Sequence, residues 1–292
     1  MTLPTPVEAE RLLRPEPELE RDVLAFLEGQ LGRVLPRRER SGVHAYYRWV
    51  ALGPRSLEGL RTLLGHRGDS SLPILDIGSG LGTTVLLANT SGIPAQGVEP
   101  GEEELALAVR RAEAAGVDPD VFRSGVGEEL PYEDGSFSGA LLHDVLEHVG
   151  DWRRVLAEAR RVLAPGGVLY VKGPSYTVRF FEPHYKLPWL PLLPKPVARR
   201  YLALLGRDVG YFEHIGYRRR GAVLAELRRL GFELSFPRLE KLRDPDAINR
   251  EWVRRLVARA RRPDGSLPPI AERLAESPLQ SAIDVLACVP RG

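Results

Sequence analysis

Short apolar segments alternate with amphipathic segments through the middle of this 292-residue chain. The clearest amphipathic helix is predicted at 151–163, with Asp151 as its N-cap and Pro165-Gly166-Gly167 as its end. The apolar segments predict strands at 73–76, 95–99, 119–122, 138–142 and 168–172. Because strands that alternate with helices form parallel sheets with crossover connections, the pattern predicts an α/β fold.

The pattern changes on both sides of this alternating region. After it, a helix at 218–230, strands at 232–236 and 281–289, and a further helix at 248–262 are predicted. Before it, amphipathic helices are predicted at 18–31 and 56–64. We therefore expect an N-terminal helical cap at 1–70 and one domain at 71–292 with a lid insertion at 175–217 and a helical insertion at 242–280.

A three-glycine turn follows the first predicted strand. Gly78, Gly80 and Gly82 alternate with other residues, and Asp76 stands two positions ahead of them. A dinucleotide fingerprint would read Gly-x-Gly-x-x-Gly, but Thr83 occupies the place of its third glycine. A strand, a glycine turn and a helix start favour a nucleoside cofactor, because the bare backbone admits a ligand closely.

Five blocks in order extend this signal. They are Asp76-Ile-Gly-Ser-Gly-Leu-Gly82, Gly97-Val-Glu99-Pro100, Gly127-Glu-Glu-Leu-Pro-Tyr-Glu-Asp-Gly-Ser-Phe137, Leu146-Glu-His-Val149 and Arg161-Val-Leu-Ala-Pro-Gly-Gly-Val168. With them the region 73–174 resembles the class I S-adenosylmethionine-dependent methyltransferases, within them the ubiquinone-type, methyltransferase type 11-like group. The resemblance implies a doubly wound, Rossmann-like sheet of seven strands, in the order 3-2-1-4-5-7-6 with the last strand antiparallel.

The resemblance also implies S-adenosyl-L-methionine as the cofactor. Asp76 and the glycine turn would hold its methionine part, and Glu99 at the end of the second strand would accept both ribose hydroxyls. The alternative for Asp76 is that it caps a helix or turn, and the alternative for Glu99 is that it is a solvated acid in a loop. The predicted cofactor residues are Asp76, Gly78, Ser79, Gly80, Gly82, Thr83, Glu99, Pro100, Gly127, Glu128 and His143.

Methyl transfer to a hydroxyl is helped by a base. The candidates are His143, Asp144, Glu147 and His148 near the fourth strand, with His184 and His214 in the lid; we predict His143, His148 and His184 as catalytic. The run Asp144-x-x-Glu147-His148 also resembles a divalent-metal segment of ubiquinone-type O-methyltransferases. Adjacent acids after a strand more often start a helix or lie satisfied in the core, and no bound metal is expected.

The lid run from Glu182 to Pro194 is rich in proline and aromatic residues. It suits a hydrophobic lid with His184 and Tyr185 pointing inward, or a packed loop made rigid by its prolines. A patch that touches a membrane is a third interpretation, favoured less because the run lacks a clean helical moment. These three interpretations stay open at the level of sequence.

Composition narrows the classes of protein. With 43% hydrophobic residues the chain can bury a core, and its single cysteine, Cys288, excludes an internal disulfide and a thiolate metal cluster. The net charge of +2 does not favour nucleic acid, and the arginine pairs fit solvated helix faces. The first residues lack a basic start with an apolar run, and no stretch approaches the roughly 20 apolar residues of a membrane span. We expect a cytoplasmic protein.

The sequence thus predicts a methyltransferase that acts on a small, partly apolar acceptor, at oxygen, as a monomer or homodimer. The first alternative is a tRNA or rRNA methyltransferase of the same fold, which salt-sensitive RNA binding would reveal. A nucleotide-binding protein or dehydrogenase and a non-catalytic cofactor-binding partner protein are the others. Affinity for NAD would favour the former, and a stable complex without turnover the latter.

Overall fold

The computed structural model describes residues 3–35, 42–67, 71–177, 180–237, 239, 277, 280 and 282–291. Its strands are β1 (Ile74–Ile77), β2 (Ala95–Glu99), β3 (Phe122–Ser124), β4 (Phe137–His143), β5 (Leu163–Pro174), β6 (Phe181–Glu182), β7 (Leu187–Pro188), β8 (Glu233–Ser235) and β9 (Ala282–Cys288). Its α-helices are α1 (Pro6–Leu13), α2 (Pro17–Val34), α3 (Val43–Ala51), α4 (Pro54–Leu64), α5 (Thr83–Thr90), α6 (Glu102–Ala114), α7 (Trp152–Val162), α8 (Lys195–Leu204), α9 (Val209–Glu213) and α10 (Arg220–Arg229).

Seven of these strands form one sheet, in the order β3-β2-β1-β4-β5-β9-β8. Strands β1 to β5 run parallel, and β9 is antiparallel to both β5 and β8. Because β6 and β7 form a separate hairpin, β8 and β9 are the sixth and seventh strands of the sheet, and the predicted order 3-2-1-4-5-7-6 is confirmed. The order reverses between β1 and β4, which opens a crevice at their carboxyl ends.

Two predicted boundaries are wrong. The strand expected at 119–122 begins only at Phe122, since Pro119 has no N–H for a ladder and Asp118 caps a short 3-10 helix by accepting the amide of Asp120 at 3.0 Å. Asp151 caps α7 as predicted. The run Pro165-Gly166-Gly167, however, lies inside β5 and does not end the helix, because the backbone is already extended at residue 163.

Helices cover both faces of the sheet. Successive β1 residues point to opposite sides, so that Ile74 packs in one core and Leu75 in the other. The first core also contains α5, α6 and the N-terminal helices, through residues such as Leu60 and Val85. The second contains α7 and α10, where Leu156 is fully buried. Coverage on both sides explains the almost wholly apolar strands.

A buried arginine joins the N-terminal helices to the glycine turn. Arg111 on α6 is only 2% exposed. Its guanidinium donates to the carbonyl oxygen of Ala51 at the end of α3, to that of Leu81 in the turn, and to the hydroxyl of Thr83 at 3.0 Å. Backbone oxygens on two separate elements therefore satisfy one buried cation.

The segment at 175–217 forms the β6-β7 hairpin, α8 and α9. Its small core includes Tyr185, Leu190 and Phe212, and packs against Val34 and Leu35 at the end of α2. The helix predicted at 248–262 and the insertion predicted at 242–280 lie outside the described residues. Among the helices that the structure describes, none is sufficiently long and apolar to cross a membrane.

Candidate active site

The turn between β1 and α5 contains Gly78, Gly80 and Gly82, all at positive φ. A Cβ atom at Gly82 would lie 2.4 Å from the ring of Phe122, so a side chain there is excluded by packing. At Gly80 a Cβ atom would meet no protein atom within 4 Å. The open space beside Gly80 is therefore available to a ligand.

Glu99, the last residue of β2, is tied to this turn. One of its carboxylate oxygens accepts the amide of Gly80 at 2.8 Å and the other that of Gly101 at 3.0 Å. Burial raises the pKa of Glu99 despite these two bonds. Each oxygen keeps capacity for a second hydrogen bond, as a pair of ribose hydroxyls would require.

An open cavity of about 670 Å³ lies against the turn, within the usual size of small-molecule sites. It also touches α2 through Phe26 and the lid through His214. Six of the predicted cofactor residues line it: Gly78, Gly80, Glu99, Pro100, Gly127 and Glu128. We call this space the donor cavity.

The other predicted cofactor residues lie beneath the turn or within its packing. Asp76, Ser79, Thr83 and His143 line a small adjoining cavity of about 80 Å³. The Oγ atom of Ser79 is buried, and no described residue bonds to it. The hydroxyl of Thr83 accepts from Arg111 and so faces the protein interior, and Gly82 packs on Phe122. Burial raises the pKa of Asp76 to about 7, a shift that Thr84 and Arg55 only partly offset.

These observations fit the group that the sequence implies. Gly80 leaves room for a ligand, Ser79 has an unused buried hydroxyl, and the acids Asp76 and Glu99 flank the turn. Carboxyl groups suit the cationic amine and sulfonium and the ribose hydroxyls of a sulfonium nucleoside.

A second cavity, of about 530 Å³, adjoins the donor cavity. It is lined by His143, Glu147 and His184, by Tyr46, Trp49 and Arg55 of the N-terminal helices, and by Asp144, His148 and Tyr211. The two cavities share five wall residues, namely Tyr46, Gly78, Asp144, His148 and Tyr211. We call the second space the acceptor cavity, and the shared residues the junction.

The titratable groups of the acceptor cavity differ in the direction of their pKa shifts. Burial lowers the pKa of His143 far below its usual range, with Arg55 and Lys172 adding to the effect, and burial together with His184 lowers the pKa of His148 to about 4. Burial and the neighbouring Asp144 raise the pKa of Glu147. Among the described histidines at this cavity, only His184 therefore has a pKa above its ordinary value.

The raised pKa of His184 has a specific cause. Burial acts to lower it, but the hydrogen bond between Nδ1 and Glu182, 2.7 Å long, and the charges of Glu182, Glu147 and Asp144 outweigh burial. The ring of His184 meets that of His148 edge to face, with centroids 5.2 Å apart. Two of the three histidines predicted as catalytic thus lie together, His148 after β4 and His184 in the lid. His143, the last residue of β4, lines both the acceptor cavity and the small cavity.

Asp144 is held in a rare backbone conformation at the junction. Its φ is 56°, and its carboxylate accepts from Arg55 at 2.6 Å. Arg55 also donates to the carbonyl oxygen of His143 at 2.8 Å and lies over the ring of Trp49. A side chain of the N-terminal helices thus fixes the end of β4, where the two cavities meet.

One group of side chains has the geometry for a metal ion. Glu147, His148 and His184 each offer a ligand atom, and these atoms lie within 4.8 Å of one another. Such a spacing permits a shared divalent cation. The expectation that no metal is bound stays a prediction.

Several residues of the acceptor cavity were not predicted as site residues. Tyr46, Trp49 and Arg55 come from the N-terminal helices, and Tyr211 comes from α9. Glu182, a fully buried residue of the lid hairpin that bonds to His184, was not predicted as a site residue either. The one local signal near Glu182 is its place two residues before His184 in an aromatic segment, and this place alone does not distinguish it from a surface acid.

A sheet of this order, with a three-glycine turn after β1 and an acid at the end of β2, defines the class I S-adenosylmethionine-dependent methyltransferases. Residues 75–171 match a family model described as "Methyltransferase domain". Residues 75–171 therefore form a methyltransferase domain, and for this region the predicted class and its cofactor, S-adenosyl-L-methionine, are confirmed.

Named relatives differ in the atom they methylate. The chain is 38% identical over 112 residues to norajmaline N-methyltransferase of Rauvolfia serpentina, covering 38% of each protein. It is 30% identical over 177 residues to ubiquinone biosynthesis O-methyltransferase of Rhizobium etli, covering 54% of this chain and 66% of that one. The chain thus spans less than two thirds of the length of these relatives.

Among solved structures, geranyl diphosphate C-methyltransferase of Streptomyces coelicolor A3(2) is similar, with a TM-score of 0.50. The match covers 96% of this chain and 100% of that one at 17% identity. A likeness at this identity shows the fold alone.

Proposed function

We propose that this protein transfers a methyl group from S-adenosylmethionine to an oxygen of a small, partly apolar acceptor. The observation that carries the proposal is the junction, where the donor cavity and the acceptor cavity share five wall residues. Two ligands bound in adjoining cavities are held in contact, and such alignment supplies much of the acceleration of a bimolecular displacement.

The donor cavity supplies groups for each part of the cofactor. Asp76 and the glycine turn would hold the methionine part, Glu99 the ribose, and Pro100 with Gly127 the adenine. When bound, the cofactor would supply a methyl carbon on a cationic sulfur for transfer to an acceptor oxygen, with the electron pair of the carbon–sulfur bond left on sulfur. The protein aligns the acceptor and excludes water.

The walls of the acceptor cavity support a partly apolar acceptor. Tyr46, Trp49 and Tyr211 offer aromatic surface beside the polar groups. A side cavity of about 240 Å³, which also contacts His184, continues between Leu31, Val34 and Leu35. An acceptor whose aromatic ring lies in the acceptor cavity and whose apolar substituent lies in the side cavity would fill both spaces.

Oxygen is favoured over nitrogen by the base at this cavity. A neutral amine attacks without losing a proton first, whereas a hydroxyl becomes a good nucleophile only when a base takes its proton. His184, with a pKa above its ordinary value, suits that role. The O-methyltransferase among the relatives is consistent with transfer to oxygen, whereas the N-methyltransferase among them is consistent with the alternative, transfer to nitrogen.

A methyl-transfer assay tests the proposal with catechol, 4-octylcatechol and 4-octylaniline as probes. We expect transfer to the hydroxyl probes, with the larger kcat/KM for 4-octylcatechol because its chain can enter the side cavity. Methylation of the aniline in preference to both catechols would contradict the choice of oxygen. Transfer to bulk tRNA but to none of the probes would favour the RNA alternative.

His184→Gln is expected to lower turnover about 10²- to 10⁴-fold, the usual contribution of a general base. His184 is not a wall of the donor cavity, so S-adenosylhomocysteine affinity should stay unchanged. His44→Gln is the matched control, since His44 is exposed on α3. Turnover measured with 4-octylcatechol, and calorimetry with S-adenosylhomocysteine, check both expectations; equal turnover of the two variants would remove His184 from the mechanism.

A further inference from the structure

Glu182 is a carboxylate with no exposed surface. Among the described residues its ion pair is with His184, whose Nδ1 lies 2.7 Å from one carboxylate oxygen. That oxygen also accepts from the hydroxyl of Tyr176 at 3.2 Å, and the other accepts the amide of Tyr185 at 2.7 Å. Burying a carboxylate without arginine or lysine is costly, so these three donors must compensate it.

The hairpin explains why Glu182 points inward. Phe181 and Glu182 alternate across β6, and Phe181 is 54% exposed while Glu182 is buried. Beyond the turn, Tyr185 is buried in the lid core and its hydroxyl donates to the carbonyl oxygen of Asp208. His184 therefore stands between two anchored residues, which limits the orientations of its ring.

The hydrogen bonds of Glu182 also set the tautomer of His184. Both oxygens of Glu182 already accept hydrogen bonds, one from the hydroxyl of Tyr176 and the other from the amide of Tyr185. The carboxylate therefore acts as the acceptor, and the bond at Nδ1 requires the proton on Nδ1. In a neutral imidazole the other nitrogen, Nε2, then carries the lone pair. Because His184 lines the acceptor cavity, this arrangement gives the cavity a nitrogen that can take a proton.

A purely structural role accounts for only part of this geometry. Capping the amide of Tyr185 needs one carboxylate oxygen, yet the second oxygen makes a short bond to His184. The other groups around the His184 ring are Glu147, His148 and Tyr211, with Asp144 farther along the same wall. Of the described groups, Glu182 is the one bonded to Nδ1.

We propose that Glu182 is a positioning residue, which holds His184 with Nδ1 protonated so that Nε2 takes the proton of the acceptor hydroxyl. This inference rests on the proposed function for the identity of the reaction. During transfer the acceptor O–H bond breaks, its proton goes to Nε2, and its electron pair stays on the attacking oxygen. The buried carboxylate stabilises the imidazolium that results.

Nitrogen NMR of the histidine rings tests the positioning without any acceptor. The chain has six histidines, and the signal of His184 is assigned by its loss in His184→Gln. Spectra are recorded with ¹⁵N-histidine protein and a metal chelator, at a pH above the titration of the ring. We expect the wild-type protein to carry the proton on Nδ1 of His184. A proton on Nε2 would overturn the proposal.

Glu182→Gln is expected to invert the tautomer. The amide of Tyr185 needs an acceptor, which fixes the glutamine oxygen on that side and turns its NH₂ group toward Nδ1 of His184. Nδ1 must then accept, so the proton moves to Nε2. An unchanged tautomer in this variant would overturn the proposal.

Glu158→Gln is the matched control. Glu158 is also buried and accepts a backbone amide, that of Leu130 at 2.9 Å, but it lies on α7 away from the acceptor cavity. We expect the tautomer of His184 to be that of wild type in this variant, and an inversion there would also overturn the proposal. Because the readout needs no turnover, a failed search for acceptors would count against the proposed function and not against the positioning by Glu182.

Discussion

Gly80→Ala is expected to weaken S-adenosylhomocysteine binding by on the order of 10- to 100-fold while the protein stays folded. The new methyl group would meet no protein atom within 4 Å and would occupy space in the donor cavity. A non-glycine residue at the observed φ of 51° costs about 1–2 kcal/mol, which lowers the free energy of unfolding without preventing folding. Calorimetry measures the affinity, and urea unfolding measures the stability.

Gly116→Ala is the matched control. Gly116 also has positive φ, at 67°, and open space around a Cβ atom, but it follows α6 and lines none of the cavities described above. Both variants should therefore lose similar stability, and only Gly80→Ala should lose affinity. Equal affinities in the two variants would show that the donor does not approach the backbone at Gly80.

The contribution of Asp76 to the free energy of unfolding of the ligand-free protein is expected to fall as the pH rises from about 4 to about 7. The difference between wild type and Asp76→Asn isolates it from the opposite contributions of His143 and His148, whose pKa values are lowered in the fold. Asp76 has a folded-state pKa of about 7 against an ordinary value of 3.8. In that window the folded state binds one more proton than the unfolded state, so raising the pH favours unfolding; the effect ends above pH 7. A shift of this size corresponds to at most about 4 kcal/mol.

The affinity for S-adenosylhomocysteine should change with pH in the opposite direction. Its cationic amine favours the ionised carboxyl group, so we expect affinity to rise with pH by up to about tenfold per unit below pH 7. Asp76→Asn removes this ionisation, so its affinity should lose the rise with pH, and its free energy of unfolding relative to wild type should increase from about pH 4 to about pH 7. Asp120→Asn, at an exposed position, should keep both profiles as in wild type. Chemical unfolding and calorimetry across this pH range check the two trends. A pH-independent affinity in the wild-type protein would contradict the role of Asp76.

The donor side of the site was largely predictable because its signals are local. Gly78, Gly80 and Glu99 are specified by a strand, a turn and the end of the next strand, and the parallel sheet brings those ends together. The motif did not reveal which way the side chain of Thr83 points. Thr83 follows the last glycine, but its hydroxyl is bonded to Arg111, a residue far along the chain.

The acceptor side was less predictable because long-range packing builds it. An amphipathic pattern in α3 and α4 indicates which face is buried, but not that Trp49 and Arg55 meet the end of β4. Likewise, Glu182 reads as a surface acid until its partners in the folded lid are known. The starts of β3 and β5 were missed for a different reason. Proline and glycine end regular elements in some places and lie within irregular strands in others, so their presence alone does not fix a boundary.

The guanidinium of Arg111 has a consequence for any shortened version of this protein. It is neutralised by no described carboxylate, and one of its acceptors, the carbonyl oxygen of Ala51, belongs to the helices that precede the sheet. A fragment starting at residue 71 would leave that cation facing an uncovered apolar surface, with one bond missing. The N-terminal helices thus form part of one of the two cores that cover the sheet, and removing them would take away a hydrogen bond of the guanidinium that also holds the carbonyl oxygen of Leu81 in the glycine turn.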